Sequence, residues 1–283
     1  MKYLWIFITL LILSSCNQNK KEQSLPDTTN KTTVDQKEIE SDKGIGDGAL
    51  SLGEQLINDV EKAHHKNTFL THKAVSFDIA VRFGGKVRMD ATITMATNSS
   101  KIKIQNKNGS THLYTNDSIY IHPENTPKQG VRFGMFTWTY FFAFPYKLSD
   151  PGTLWEFQQD RQLNDTIYQT SKLTFKKGTG DAPDDWYITF IHPENKKIQA
   201  ASYIVTYGNN GDISKAEADP HLIKYEQYKE INGVPFATQW GFYGWSEKEG
   251  LKEKLGDASI SNIRFIEDDN SLFTPHPDAI PLQ

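Results

Sequence analysis

The chain has 283 residues and a formal charge of −4, with 31 Lys and Arg against 35 Asp and Glu, a balance that speaks against nucleic acid as a partner. Its one cysteine, Cys16, excludes an intramolecular disulfide and leaves neither a Cys-based zinc site nor thiolate chemistry to the rest of the chain. Aromatics make up 12% of residues, and 12 Tyr with 16 Phe favour strands.

The N-terminus opens on Lys2 and an apolar run of eleven residues, Tyr3–Leu13. That run is too short to cross a bilayer comfortably as a helix. Leu13-Ser14-Ser15-Cys16 then supplies the small residues a signal-peptide cleavage site needs. The string LSSC resembles the lipobox of bacterial lipoproteins. That resemblance implies cleavage before Cys16, diacylation of its thiol and a membrane anchor of about 0.8 kcal/mol per buried CH₂. The alternative is a plain signal peptide or an N-terminal transmembrane anchor with an incidental cysteine. Asn17–Asp47 has hardly any aliphatic and no aromatic residues, so it reads as a disordered tether. The expected organisation is a cleaved signal at 1–15, a lipidated Cys16 with its tether at 16–48, and a single domain at 49–283.

Order is expected from Ala49. Leu52, Leu56, Ile57 and Val60 lie at helical spacing, with Ala63 and His64 continuing the stripe. Ser51 and Glu54 form a capping-box pattern, which predicts an amphipathic helix of about four turns. The period then changes to two. Val75, Phe77, Ile79, Val81 and Phe83 alternate with polar or small residues, Gly84-Gly85 makes a hairpin turn, and Val87, Met89, Ala91, Ile93 and Met95 return on one face. Arg82 and Arg88 fall on the polar face; a one-residue slip would bring them inward to meet a ligand head group. Further strands are predicted over Lys101–Gln105, Thr111–Tyr114 and Ser118–His122.

The stretch Phe133–Tyr146, FGMFTWTYFFAFPY, breaks the rhythm. Phe133, Phe136, Tyr140, Phe141 and Phe144 fit one helical face while Trp138 and Phe142 fall on the other, and Pro145 stops the helix. A short helix so aromatic on both sides must be covered on both, by a core, a ligand or a partner. Strands resume over Gln162–Phe175, Trp186–His192, Ile198–Tyr207, Leu222–Lys229, Pro235–Tyr243 and Ala258–Glu267. Turns are marked by Asn209-Asn210-Gly211-Asp212 and Asn232-Gly233. EKEGLKEKLG reads as a charged excursion with helical character, and the proline-rich tail SLFTPHPDAIPLQ as irregular. IHPEN occurs at 121–125 and again at 191–195, each time leaving a predicted strand. Shared turn chemistry accounts for it better than duplication.

An N-terminal helix, a first hairpin, a run of antiparallel strands, an interrupting apolar helix and more strands resemble the lipoprotein-localisation superfamily of the LolA/LolB type. The stretch IKYEQYKEINGVPFATQWGFY looks like a feature of related envelope proteins, and the whole domain is similar to an uncharacterised family of Bacteroidota lipoproteins. The resemblance implies a mainly β (α+β) fold, a curved, half-open antiparallel β-barrel wrapping one or a few helices, with a cavity that holds acyl chains. The Cys16 anchor sets the chain apart from the superfamily's soluble chaperones and points to the outer-membrane acceptor kind or to an unrelated use.

The candidate site is an apolar cavity walled by Phe77, Ile79, Val81, Met89, Ile93 and Met95, with Phe136, Trp138, Phe141, Phe142 and Phe144 as lid or plug. The same residues are equally suited to fill the core of a curved sheet. His64, His65 and His72 lack the spacing of a metal site, and His122, His192, His221 and His276 are expected in loops facing solvent. No G-x-S-x-G, phosphate loop or distinctive acid pair argues for catalysis; Asp184-Asp185 and Glu267-Asp268-Asp269 read as solvated caps. No cofactor or metal is expected. The expected function is a non-enzymatic, outer-membrane-anchored lipoprotein that binds a lipid, an acylated peptide or another apolar ligand. The alternative is an interaction module of an envelope assembly with a filled core.

Overall fold

The computed structural model describes residues 48–208, 212–267 and 271–282. The signal peptide, Cys16 and the tether lie outside the described residues, as do Asn209, Asn210, Gly211, Asp268 and Asp269.

The first helix, α1 (Leu52–Ala63), opens on the expected capping box: the Glu54 amide donates to Ser51 Oγ at 3.2 Å and the Ser51 amide to Glu54 Oε2 at 2.8 Å. Leu56, Ile57 and Val60 are its buried stripe. The helix is shorter than predicted. His65 takes a left-handed φ of 53°, and a second helix, α2 (Lys66–Thr71), starts in a new direction. Both histidines hold this break. His64 is fully buried, and its Nε2 accepts the Ile198 amide at 3.0 Å, while His65 Nδ1 bonds the Gly233 carbonyl. The half-turn is further tied by Lys66 Nζ to Glu61 at 2.7 Å and by the Ser149 amide to Glu61 at 2.8 Å.

Burial lowers the His64 pKa to about 3, helped by Lys197 and His65. The folded state therefore holds the ring neutral, while the unfolded chain protonates it near pH 6.5. The stabilisation is complete above pH 6.5 and is lost as pH falls toward 3, at up to ~1.4 kcal/mol per pH unit. Urea unfolding at pH 7 and pH 5 should show a lower midpoint at pH 5, and His64→Gln should flatten that dependence by about one proton's worth. An unchanged slope in the variant would place the titration elsewhere.

Twelve further strands follow β1 (Ala74–Phe83): β2 (Lys86–Ala96), β3 (Ile102–Asn106), β4 (Thr111–Thr115), β5 (Ser118–His122), β6 (Thr153–Leu163), β7 (Thr166–Phe175), β8 (Tyr187–Ile191), β9 (Ile198–Tyr203), β10 (His221–Ile231), β11 (Val234–Ser246), β12 (Gly250–Ile266) and β13 (Ile280–Pro281). Between β5 and β6 run α3 (Val131–Ala143) and a 3₁₀ turn at Phe144–Tyr146, and α4 (Ile213–Glu217) precedes β10. The strands form one open antiparallel sheet in the order β13-β5-β4-β3-β2-β1-β12-β11-β10-β9-β8-β7-β6. This is the mainly β, half-open architecture expected. The two Gly of the first hairpin, with φ of 60° and 72°, give the turn its required left-handed backbone.

Four expectations about elements are corrected. Gln162–Phe175 is not one strand: Asn164 at φ 53° turns the chain, and β6 pairs back on β7. EKEGLKEKLG is not helical but the turn and first half of β12, with Leu251 opposite Trp245 and Lys254 opposite Tyr243. Leu251 and Leu255 are four residues apart, a spacing that fits period 3.6 and period 2 alike. The tail carries a two-residue strand, in which Ile280 pairs with Ile121 and Pro281 with Tyr120 at the sheet edge. Val87, placed on the inner face, lies at the hairpin tip and is 58% exposed.

The main core fills the concave face. Phe77 stacks on Phe142 with centroids 3.7 Å apart, and Phe142 stacks on Phe236 at 5.4 Å. Alternation puts a second cluster on the opposite face, where Leu163, Ile188, Phe190, Leu222 and Trp245 pack together. Phe273 of the tail covers Ala74 and Leu113 in a third.

Candidate functional site: an aromatic cleft beside α3

The position of α3 follows from the topology. The chain leaves the sheet at β5, next to one edge, and re-enters at β6, the other edge strand, so the connecting segment must cross the open side of the half-barrel. It does so with two different faces. Met135, Trp138 and Phe142 pack onto the sheet: Trp138 meets Phe242 edge-on at 5.7 Å, and Phe142 lies between Phe77 and Phe236. Phe133, Phe136, Thr137, Tyr140 and Phe141 turn the other way and line a cleft of about 400 Å³.

The remaining cleft wall comes from both halves of the sheet. Ile102 and Tyr114 stand on β3 and β4; Phe175, Tyr187 and Tyr203 on β7, β8 and β9. The surface is mostly apolar or aromatic, with polar groups at the rim. Arg132 grips Asp181 through two bonds of 2.5 and 2.6 Å, which raises the guanidinium pKa further. Lys147 pairs with Asp150. Asp185 accepts the Thr206 amide and hydroxyl, each at 2.7 Å, while burial pushes its carboxyl pKa up against those bonds. Burial also raises the phenols of Tyr140, Tyr187 and Tyr203, so all three stay protonated.

Of the residues named from sequence, Phe136 and Phe141 line this cleft. Phe77, Ile79, Val81, Met89, Ile93, Met95, Trp138, Phe142 and Phe144 are buried in the main core. Strand alternation identifies which residues point inward; it does not tell a packed interior from an open one. The tyrosines of β8 and β9 and the loop residues Asp181 and Asp185 carry no motif. Their one signal is Tyr203, the lone aromatic of β9; Tyr187 shares β8 with Phe190 and does not stand out.

Several polar residues stand elsewhere than expected. Arg82 and Arg88 are both exposed, and Arg88 Nε donates to the Phe83 carbonyl, so neither meets the cleft. Asp185 is no solvated cap but part of the cleft wall. His221 is not a solvent-facing loop residue: it opens β10, stacks on Tyr203 at 5.8 Å, and its pKa is lowered by burial. His122 stacks on His276 at 3.8 Å. Among the described residues, no group of three or more His, Cys, Asp or Glu side chains is placed to hold a metal ion, and no helix is long and apolar enough to cross a membrane.

The architecture is an open antiparallel half-barrel with a helix in its concavity and a cleft beside that helix. The chain has the fold of the LolA superfamily: a LolA superfamily protein from Nitrosomonas europaea superposes with a TM-score of 0.50 at 9% identity, covering 79% of this chain and 97% of that one. A DUF1329 family protein from Desulfovibrio piger gives a TM-score of 0.47 at 13% identity over 77% of this chain and 99% of that one. A domain assigned as an outer membrane lipoprotein-sorting protein from Vibrio parahaemolyticus gives 0.47 at 11% over 78% and 98%. Residues 134–235 match the model of a family of unknown function, DUF6503. That match runs from α3 through β10 and so includes one wall of the cleft. No curated protein sequence matches the chain.

Proposed function

We propose that the protein is a cell-envelope lipoprotein, held at the outer membrane by an acylated Cys16, that binds a lipid, an acylated peptide or another apolar molecule non-covalently in the cleft beside α3. The observation that carries this reading is the cleft itself. It is concave, lined mainly by aromatic and aliphatic side chains, edged by a few polar groups, and falls in the size range of ~300–1,000 Å³ usual for small-ligand sites. The LolA-type fold supports the same reading, because its open half-barrel leaves space beside α3. The charged groups around the cleft are engaged: Arg132 with Asp181, Lys147 with Asp150, Asp185 with Thr206. This suits binding better than catalysis, which needs a nucleophile or base left poised for a substrate.

Native mass spectrometry of the purified full chain, followed by lipid extraction, tests the proposal. The expected result is an apolar species bound at a one-to-one ratio. A chain that stays ligand-free after incubation with envelope lipids would overturn it and favour an interaction module of an envelope assembly.

A further inference from the structure

The buried tyrosines of this domain fall into two groups. Tyr146, Tyr225 and Tyr228 donate to the carbonyls of Pro235, Phe141 and Ile198 at 2.7, 3.0 and 2.6 Å. Tyr140, Tyr187 and Tyr203 line the cleft, and none of their hydroxyls forms a hydrogen bond among the described residues. Their rings stand side by side, with centroids 5.6 Å apart for Tyr140 and Tyr187 and 6.0 Å for Tyr187 and Tyr203. Tyr187 and Tyr203 are only 7% and 5% exposed. None of the three oxygens is among the enclosed unpartnered polar atoms of the described residues, so they open onto the cleft and form a polar strip that can bond a ligand along an otherwise apolar wall. Each is held neutral by burial, so each offers one donor and can also accept.

The charges around the strip point the same way. Both cations of the cleft wall are already paired, Arg132 with Asp181 and Lys147 with Asp150. Asp185 forms no ion pair among the described residues and adds a carboxyl to the same wall. An anionic head group would have to displace a carboxylate or sit beside one. A cleft of about 400 Å³ also gives room for one chain rather than a bundle.

We propose that the cleft selects an uncharged amphiphile, one apolar chain ending in an ester, amide or hydroxyl group that Tyr140, Tyr187 and Tyr203 hold. This rests on the cleft being the binding site. The shared chemistry is a neutral carbonyl or hydroxyl beside a single chain; a glycerol ester and an acylated amine are two sources of it.

The test is competition against an uncharged fluorescent apolar probe, 1-aminoanthracene, on the full chain at pH 7.4. The competitors are palmitate, 1-monopalmitoylglycerol and N-palmitoylglycinamide, which share one chain length. At least one neutral compound should compete tenfold or more better than palmitate, and the stronger arm identifies ester or amide as the source. The Tyr187→Phe/Tyr203→Phe double variant should pull that ratio toward one, while Asp185→Asn should improve palmitate alone. Palmitate competing as well as both neutral compounds, or a ratio untouched in the double variant, would overturn the selectivity while leaving the cleft as a binding site. If neither the probe nor any competitor binds, the cleft reading fails and this proposal falls with it.

Discussion

Phe77→Ala is expected to lower the unfolding free energy by about 3–5 kcal/mol, the range for deleting a buried aromatic ring and leaving a cavity. Phe77 has no exposed surface, and its ring stacks 3.7 Å from Phe142. Phe142 in turn stacks on Phe236 and belongs to α3. Removing the ring therefore takes away a contact that seats α3 on β1 and leaves a cavity beside Phe142. Denaturant melts read at constant m give the loss, and thermal melts should fall by roughly 2–4 °C per kcal/mol for a chain of this size. A loss under ~1 kcal/mol would mean that α3 is not seated there.

Thr137→Trp should do the opposite: abolish binding and leave the fold intact. Thr137 sits on the face of α3 that looks into the cleft, between Phe136 and Tyr140, and is not buried. An indole there projects into open volume rather than into packed atoms, so the overpacking cost of a core substitution does not arise. It fills space that an apolar ligand needs. Affinity for 1-aminoanthracene should drop at least tenfold, about 1.4 kcal/mol, with a melting temperature close to that of the parent chain. Unchanged affinity would move the site away from this cleft. The two substitutions together separate the two faces of one helix, one structural and one facing ligand.

The same two faces explain what could be read from the sequence. The aromatic density of Phe133–Tyr146 announced a helix covered on both sides, and Pro145 marked its end. The first hairpin was legible because alternation and a Gly-Gly turn agree in one window. The capping box at Ser51 and Glu54 is local chemistry, and it stands as expected. What stayed hidden depends on partners far along the chain. β6 shows no alternation because it is an edge strand wet on much of both faces, with Leu154 and Phe157 still 44% and 42% exposed. The break at His64 is set by the Ile198 amide and the Gly233 carbonyl. Where the interior is open rather than filled is fixed by how far α3 stands from β8 and β9, and no residue spacing encodes that distance.

The strand order has a consequence for how the chain assembles. β1 through β5 and β6 through β12 are two meanders, each built from neighbours in sequence, and they are stitched together at a single seam where β1 pairs with β12. At that seam Gly256 comes so close to the Arg82 carbonyl that a Cβ could not fit, so the join requires glycine there. A chain made from its N-terminus completes the first meander early, yet the free edge of β1 stays unpaired until residues 256–266 arrive. The last long strand is thus the closing step of the whole sheet, and a chain cut before it would present two half-sheets with open edges rather than a slightly smaller domain.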